Sequence, residues 1–493
     1  MADTRLTTLE PAEGAAGDSY TSWEDLYRQR WQWDKVVWGT HCVDCYPGNC
    51  PYRVYVKDGI VLHEEQAATY NVIEEGVPDM NPMGCQKGAM WGQMLYAKER
   101  VLYPLKRVGE RGAGRWKRIS WDDALTELAD AVIDAIQEVG PESIIHEITG
   151  AQGGPMALTS CLRFVGKLGG LSMDLDGVVG DLAMGLYEVF GKIFASTVDD
   201  WFHSELLLIW HMNPAYTRIP YYHYISEARY KGAEVVTIAP DFSPSAAHAD
   251  KYIPVRPGTD AALALAMCKT IIDEELFDAG FIKEQTDLPF LVRLDNRRFL
   301  RGSDLQEGGR QDQFYFFDAN SEAVVEAPRG TLALGELDPA LDGRHRVTLL
   351  SGEEVEVTPV FALLRERLAD YTPEKASELC GAGAESIRYL ARRAARCKTN
   401  ILLGFNSAKY YHGDLMERAM ILMLGLTNNW GRKGTGIRIW CVGPWDGIGL
   451  FGAKQRPGAE ATIEVLDMLE RMLDAFQAED PARTREQAAM ELQ

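Results

Sequence analysis

The chain is 493 residues long with 46% hydrophobic and 25% charged residues, a globular balance that excludes disorder throughout. Lys and Arg number 51 against 72 Asp and Glu, and the net charge of −21 excludes nucleic acid or an anionic membrane surface as the main partner. The sequence lacks a run of about 18 apolar residues, a secretory pattern and a twin-arginine pair, so a soluble chain is expected, cytoplasmic or co-exported to the periplasm with a signal-bearing partner.

Residues 1–32 are polar and Gly/Ala-rich before turning aromatic at Trp23, Tyr27 and Trp31, which suggests an arm docked on another surface, with a frayed tail as the alternative. Residues 33–110 read as a small ligand-stapled domain. Within it "YRVYVKDG" and "IVLHEEQ" form a predicted strand pair, and Lys57, Asp58 and Gly59 supply its turn.

The same domain carries the most specific signal in the chain: His41, Cys42, Cys45 and Cys50 on one short loop, joined by the distant Cys85. Closely spaced soft ligands plus a remote one suit a 4Fe–4S cube, and Pro47 with Gly48 bends the loop so that the sulfurs face inward. A structural zinc site is the metal-bearing alternative, although zinc loops usually come as two matched pairs. Five donors compete for four positions, Cys42 and His41 being the two that exclude one another. The remaining cysteines, Cys161, Cys268, Cys380, Cys397 and Cys441, are scattered singly and read as buried free thiols.

Further along, Ser120 caps a predicted helix in "RISWDDALTELADAVIDAIQEVG", which stops at Gly140 and Pro141. A strand at 143–149 follows, then a strand in 204–214, a helix through 221–232 and a strand at 233–241. Strands separated by helices imply parallel α/β sheets. Residues 295–360 read as a surface excursion, "KASELCGAGAESIRYLARRAARC" as one helix, 400–405 as a strand, and "ATIEVLDMLERMLDAFQAED" as an amphipathic helix. No internal repeat is visible.

The spacing of His41, Cys45, Cys50 and Cys85 resembles the aspartate-ligated branch of the dimethyl sulfoxide reductase superfamily of molybdopterin oxidoreductases, which includes nitrate, selenate and chlorate reductases and ethylbenzene dehydrogenase. The stretches at 100–125, 180–191 and 199–232 resemble that branch too, and the likeness runs over about residues 35–440. The resemblance implies an α/β fold: a small 4Fe–4S domain followed by two interleaved Rossmann-like pterin-binding domains, one discontinuous over 111–150 and 395–493 and the other over 151–394. It implies His41 in place of Cys42 as cluster ligand, Lys87 between cluster and pterin, and Asp181 on molybdenum. A hard carboxylate oxygen suits the high-valent metal. By residue type alone Asp181 reads as a helix cap, with Asp174 and Asp176 as equal candidates.

Contacts to a bis(molybdopterin guanine dinucleotide) are implied for Asn213, Asp241, Gly258, Thr259, Asp260, Asn406 and Asn429, with Asp241 accepting from guanine and Gly258, Thr259 and Asp260 opening a helix near Ala261. Lys409 is the implied catalytic cation and leans toward an organic substrate. The family's C-terminal β-barrel cap has no counterpart in this sequence, so a fragment, or a second chain supplying that half, is expected. The implied partners are an iron–sulfur β subunit and a haem b or membrane subunit. The leading expectation is an ethylbenzene dehydrogenase-like hydroxylating dehydrogenase, with a respiratory oxyanion reductase as the alternative. A non-catalytic iron–sulfur electron-transfer or assembly module is the alternative of another class, and a zinc-stapled binding protein the remote one.

Overall fold

The computed structural model describes residues 32–41, 50–67, 72, 74–79, 81, 84–148, 161, 163–174, 183–191, 198–404, 407–438, 468, 470–478 and 485. Side chains at 40, 41, 147, 148 and 172–174 are not described. Among the described residues no helix is long and apolar enough to cross a membrane.

The chain opens with an antiparallel sheet of β1 (Lys35–His41), β2 (Cys50–Lys57) and β3 (Ile60–Gln66). The predicted pair β2–β3 turns at Asp58 (φ 49°) and Gly59 (φ 78°), the two left-handed positions that a tight hairpin requires. In the register of β1 and β2, His41 stands opposite Cys50, so residues 42–49 connect the two strand ends.

A short hairpin of β4 (Leu105–Arg107) and β5 (Trp116–Arg118) leads into α1 (Trp121–Glu138). Ser120 caps α1 by accepting from the Asp123 amide at 3.0 Å, and Asp122 and Asp123 complement the helix dipole in the first turn. No residue of α1 is buried, and Trp121, Leu125 and Leu128 of its apolar stripe are exposed. The strands β6 (Ile145–Ile148) and β7 (Leu171–Asp174) pair in parallel after it.

Beyond α2 (Met184–Phe190) comes the central sheet. β8 (Leu206–Trp210), α3 (Tyr222–Tyr230), β9 (Glu234–Ala239), β10 (Lys251–Pro254) and α4 (Asp260–Asp273) alternate strand and helix as the sequence predicts. The excursion then forms β11 (Leu291–Arg293), β12 (Tyr315–Asp318), β13 (Ala323–Glu326), β14 (His345–Thr348) and β15 (Glu354–Pro359), with a small core of its own around Leu291, Leu300 and Val357. The helix expected over 375–397 is in fact two, α5 (Pro373–Cys380) and α6 (Ala384–Arg396). Gly381 ends α5 in the left-handed conformation at φ 83°, which stops a helix. β16 (Thr399–Leu403), α7 (Gly413–Leu426) and β17 (Gly436–Arg438) complete the body, and residues 470–478 are helical as expected.

The central sheet is wholly parallel, in the order β10–β9–β8–β16–β17. Every residue of β8 and of β16 is buried, as interior parallel strands covered on both faces must be. Helices α4, α5, α6 and α7 pack on one face through Leu263, Cys380, Leu390 and Met420, while α3 covers the other through Tyr224 and Ile225. This sheet corrects the expected domain split, because 399–438 pairs with 206–254 and not with 145–148. The reason is backbone pairing: the fully buried β16 needs a strand on each edge to satisfy its backbone groups, and β8 offers one. The pairing of β6 with β7 likewise crosses the expected boundary at 150. Cys268 and Cys380 are buried as expected, whereas Cys161 is exposed and Cys397 half-buried.

Candidate functional site

In chain order the central strands run outward as β8, β9, β10 on one side, and the chain then returns to place β16 and β17 on the other side of β8. Adjacent strands whose connections leave in opposite directions open a crevice at their carboxyl ends, where an α/β sheet takes a ligand. Here the crevice lies between the ends of β8 and β16, and Gly404 N still donates to Trp210 O at 3.0 Å at its base.

Most of the described candidates converge on this edge. Asn213 is three residues past β8, and its Oδ1 accepts from Ser245 Oγ at 2.7 Å, tying the β8 loop to the β9 loop. Asp241 is the second residue past β9 and is exposed, so its carboxylate is open to a donor such as guanine. Gly258 adopts φ 78°, and a Cβ there would stand 3.2 Å from the Tyr410 ring, so the β10 loop and the β16 loop touch at this glycine. Lys409 ends the Ser407–Lys409 turn after β16 and is exposed.

Two candidates behave differently from expectation. Thr259 stands at the N-cap of α4, but its hydroxyl donates back to Arg256 O at 2.7 Å and does not cap the helix, which starts at Asp260. Asp260 faces inward and is fully buried. Its Oδ1 accepts from Trp210 Nε1 at 2.7 Å, and its Oδ2 lies 3.1 Å from His211 Nε2. It therefore fixes the last residue of β8 and the left-handed His211 (φ 58°) just past it. The sequence reading missed Trp210 and His211, although the step from an apolar strand into Trp-His is itself the signal.

Asn429 is a correction. Its side chain is fully buried, accepts from Thr399 N at 2.9 Å, and donates to Ala394 O at 2.7 Å and Thr427 Oγ1 at 2.9 Å. Thr399 is the first residue of β16, so this amide sits at the opposite end of the strand from the crevice, where a pterin contact is out of reach. Asn429→Ala is accordingly expected to lower unfolding stability by about 2–3 kcal/mol in a urea titration, through orphaned buried partners. The folded fraction should keep its cofactor content, and a selective loss of cofactor would contradict this placement.

Glu417, also missed, is a fully buried carboxylate on α7. Burial pushes its carboxyl up to about 7, against the opposing pull of the Ser407 hydroxyl and the Gly185 and Leu186 amides. Its signal was legible: in "GDLMERAMILMLGL" it falls on the same face as Gly413, Met420 and Leu424.

The cysteine body docks against the same sheet. Cys50 and Cys85 are 2% and 7% exposed, shielded thiols of the kind that ligate soft metal centres. Cys50 and Tyr52 are two apart on β2, so their side chains leave the same face. The Tyr52 hydroxyl holds both backbone groups of Cys85, donating to its carbonyl at 3.0 Å and accepting from its amide at 3.1 Å. The fold thus presents Cys85 to the strand that begins at Cys50. Lys87 reaches over the ring of Tyr216 at 5.8 Å, and Tyr216 follows Asn213 in the β8 loop, so this cation stands between the cysteine body and the crevice edge. Tyr52, Cys50 and Val77 share a core with Trp201, Leu207, Ile209 and Tyr224, which joins the cysteine body to the sheet.

Cys42, Cys45, Asp181 and Asn406, and the side chain of His41, lie outside the described residues. The described donors fit the implied groups: buried thiols for a cluster, and for a dinucleotide an open carboxylate and a glycine loop at a parallel-sheet crevice.

The Molybdopterin oxidoreductase family matches residues 100–453. The chain is 40% identical over 471 residues to the dimethylsulfide dehydrogenase subunit alpha of Rhodovulum sulfidophilum, covering 92% of this chain and 51% of that one. It is 42% identical over 441 residues to the chlorate reductase subunit alpha of Ideonella dechloratans (87% and 47% covered) and 39% identical over 468 residues to the perchlorate reductase subunit alpha of Dechloromonas aromatica (89% and 50%). The chain thus spans about half the length of these curated relatives. Among solved structures, acetylene hydratase from Pelobacter acetylenicus shares the fold, with a TM-score of 0.50 and 22% identity over 80% of this chain and 44% of that one.

Proposed function

The chain belongs to the molybdopterin oxidoreductase family, and from that premise we propose that it forms the cluster- and pterin-binding part of the catalytic alpha subunit of a molybdenum oxidoreductase. The observation that carries this reading is the crevice between β8 and β16, with the cysteine body docked beside it and Lys87 between the two. In this reading His41, Cys45, Cys50 and Cys85 hold a 4Fe–4S cluster, and Asp181 ligates molybdenum carried by two pterin guanine dinucleotides. Asn213, Asp241, Gly258, Thr259 and Asn406 line the dinucleotide's path, and Asp260 shapes the crevice from beneath. When bound, the molybdenum centre supplies two-electron oxygen-atom exchange.

The chain's own groups do the rest. Gly258 lets the backbone come close to phosphate, and Asp241 offers guanine an acceptor. Lys87 lowers the cost of an electron passing between cluster and pterin, because a fixed cation stabilises added negative charge. Lys409 stands at the crevice mouth, where a cation draws in an anion.

The substrate favoured here is an oxyanion of the chlorate or nitrate class, which gives up one oxygen atom as water while taking up two electrons and two protons. Arg256 and Lys409, on the loops after β10 and β16, supply the positive charge such a substrate needs. The chlorate and perchlorate reductase relatives agree with it. The second reading, a hydroxylating dehydrogenase like that of ethylbenzene, runs electrons the other way and draws support from the dimethylsulfide dehydrogenase relative. An iron–sulfur β subunit and a haem b or membrane subunit are the proposed electron partners.

Metal analysis tests the core of this reading. Protein purified without oxygen is expected to carry about four iron atoms for each molybdenum, with the broad visible absorption of a cluster. Iron without molybdenum would instead support an electron-transfer or assembly module, and colourless zinc protein would end the cluster reading. With both metals present, turnover of chlorate by reduced viologen separates the oxyanion reading from dye-coupled oxidation of dimethyl sulfide or ethylbenzene.

A further inference from the structure

Glu417 reaches in two directions from the middle of α7. Its Oε2 accepts from the Gly185 amide at 2.7 Å, in the first turn of α2, and its Oε1 accepts from the Ser407 hydroxyl at 2.5 Å, in the turn that follows β16. Both Glu417 and Ser407 are fully buried, so water competes for neither bond. The two helices are also as close as backbones allow: a Cβ on Gly185 would stand 2.4 Å from Asp414 O and 2.6 Å from Glu417 Cβ. The stacked rings of Phe190 and Trp430, 4.1 Å between centroids, fasten the far end of α2 to the turn beyond α7.

These contacts join two segments far apart in sequence. α2 begins three residues after Asp181, and the Ser407–Lys409 turn adjoins Asn406 and carries Lys409. We infer that Glu417 is a positioning residue that fixes the start of α2, the helix that follows Asp181 in sequence, and the Lys409 turn relative to each other. The inference rests on the molybdenum reading of Asp181 for its functional meaning, but the mechanical link is a property of this chain alone. A carboxylate suits the task because its two oxygens can each serve one segment. A glutamine keeps the geometry, with its carbonyl accepting from Gly185 N and its amide donating to Ser407 Oγ. An alanine removes both arms.

The test compares the wild-type chain with Glu417→Ala, Glu417→Gln and Ser407→Ala, each purified without oxygen. Hydrogen–deuterium exchange reads the link directly. In Glu417→Ala the amides at 185–186 and 407–413 are expected to exchange on the order of tenfold faster, as loss of a buried hydrogen bond implies. The β8 and β9 amides should hold, and Glu417→Gln should restore protection. Ser407→Ala should loosen only the 407–413 side, and it supplies the readout if Glu417→Ala fails to fold. Molybdenum per iron should fall in Glu417→Ala with iron unchanged, and recover in Glu417→Gln. Unchanged exchange in both segments, or loosening in Glu417→Gln equal to that in Glu417→Ala, overturns the inference. A wild-type chain that shows the exchange pattern yet holds no molybdenum leaves the link standing and refutes the molybdenum reading instead.

Discussion

Cys85→Ala is expected to leave a folded but colourless protein, with iron falling from about four atoms per chain to fewer than one. The size of the effect follows from how firmly the residue is held. The Tyr52 hydroxyl bonds to both the amide and the carbonyl of Cys85, and the flanking glycines leave no slack: a Cβ on Gly84 would lie 2.6 Å, and on Gly88 2.2 Å, from that same hydroxyl. The Tyr52 hydroxyl therefore holds the backbone at Cys85 in place. Cys85 takes no part in the large core around β8, β16 and α4, so far-UV circular dichroism should stay close to wild type. Iron content and visible absorption equal to wild type would remove Cys85 from the cluster.

Asp260→Ala is expected to be the most destabilising single change at the crevice. It strands the buried indole N–H of Trp210 and leaves His211, 3.1 Å away, facing no carboxylate. Breaking a buried pair by deleting one partner costs about 3–5 kcal/mol, because the survivor keeps its desolvation penalty without its partner. Asp260→Asn keeps an acceptor for Trp210 and should lose only about 1–2 kcal/mol, the worth of a hydrogen bond exchanged for a weaker one. Equilibrium urea unfolding measures both, and the alanine variant should also lose pterin, since the end of β8 would no longer be fixed. An alanine variant within about 0.5 kcal/mol of wild type would show that the contact carries no stability.

Legibility in the sequence tracked the range of the interaction. Ser120 before α1, the Asp58–Gly59 turn and the apolar runs of β8 and β9 were readable because each depends on residues within a few positions. Asn213, Asp241 and Gly258 were singled out by the family resemblance, and the structure sets them in the loops that follow β8, β9 and β10. The place of β16 beside β8 was not, since nothing in "NILLGF" names its partner. Asn429 misled because a polar residue after a helix has the same appearance whether it turns toward a ligand or back to Ala394 and Thr399. Gly381 was passed over inside an otherwise periodic helix, although a glycine there is the ordinary way to end one.

The strand order also governs when the crevice forms. Roughly two hundred residues separate the two strands that flank the crevice, a long-range pairing that must wait for the later strand. At synthesis rates of about 5–20 residues per second, some 10–40 seconds pass on the ribosome with β8 made and β16 still to come. Throughout that interval the nascent chain has β9 on one edge of β8 and, on the other, a row of unpaired backbone N–H and C=O groups. The crevice between them therefore takes shape only late in synthesis, once β16 has joined β8.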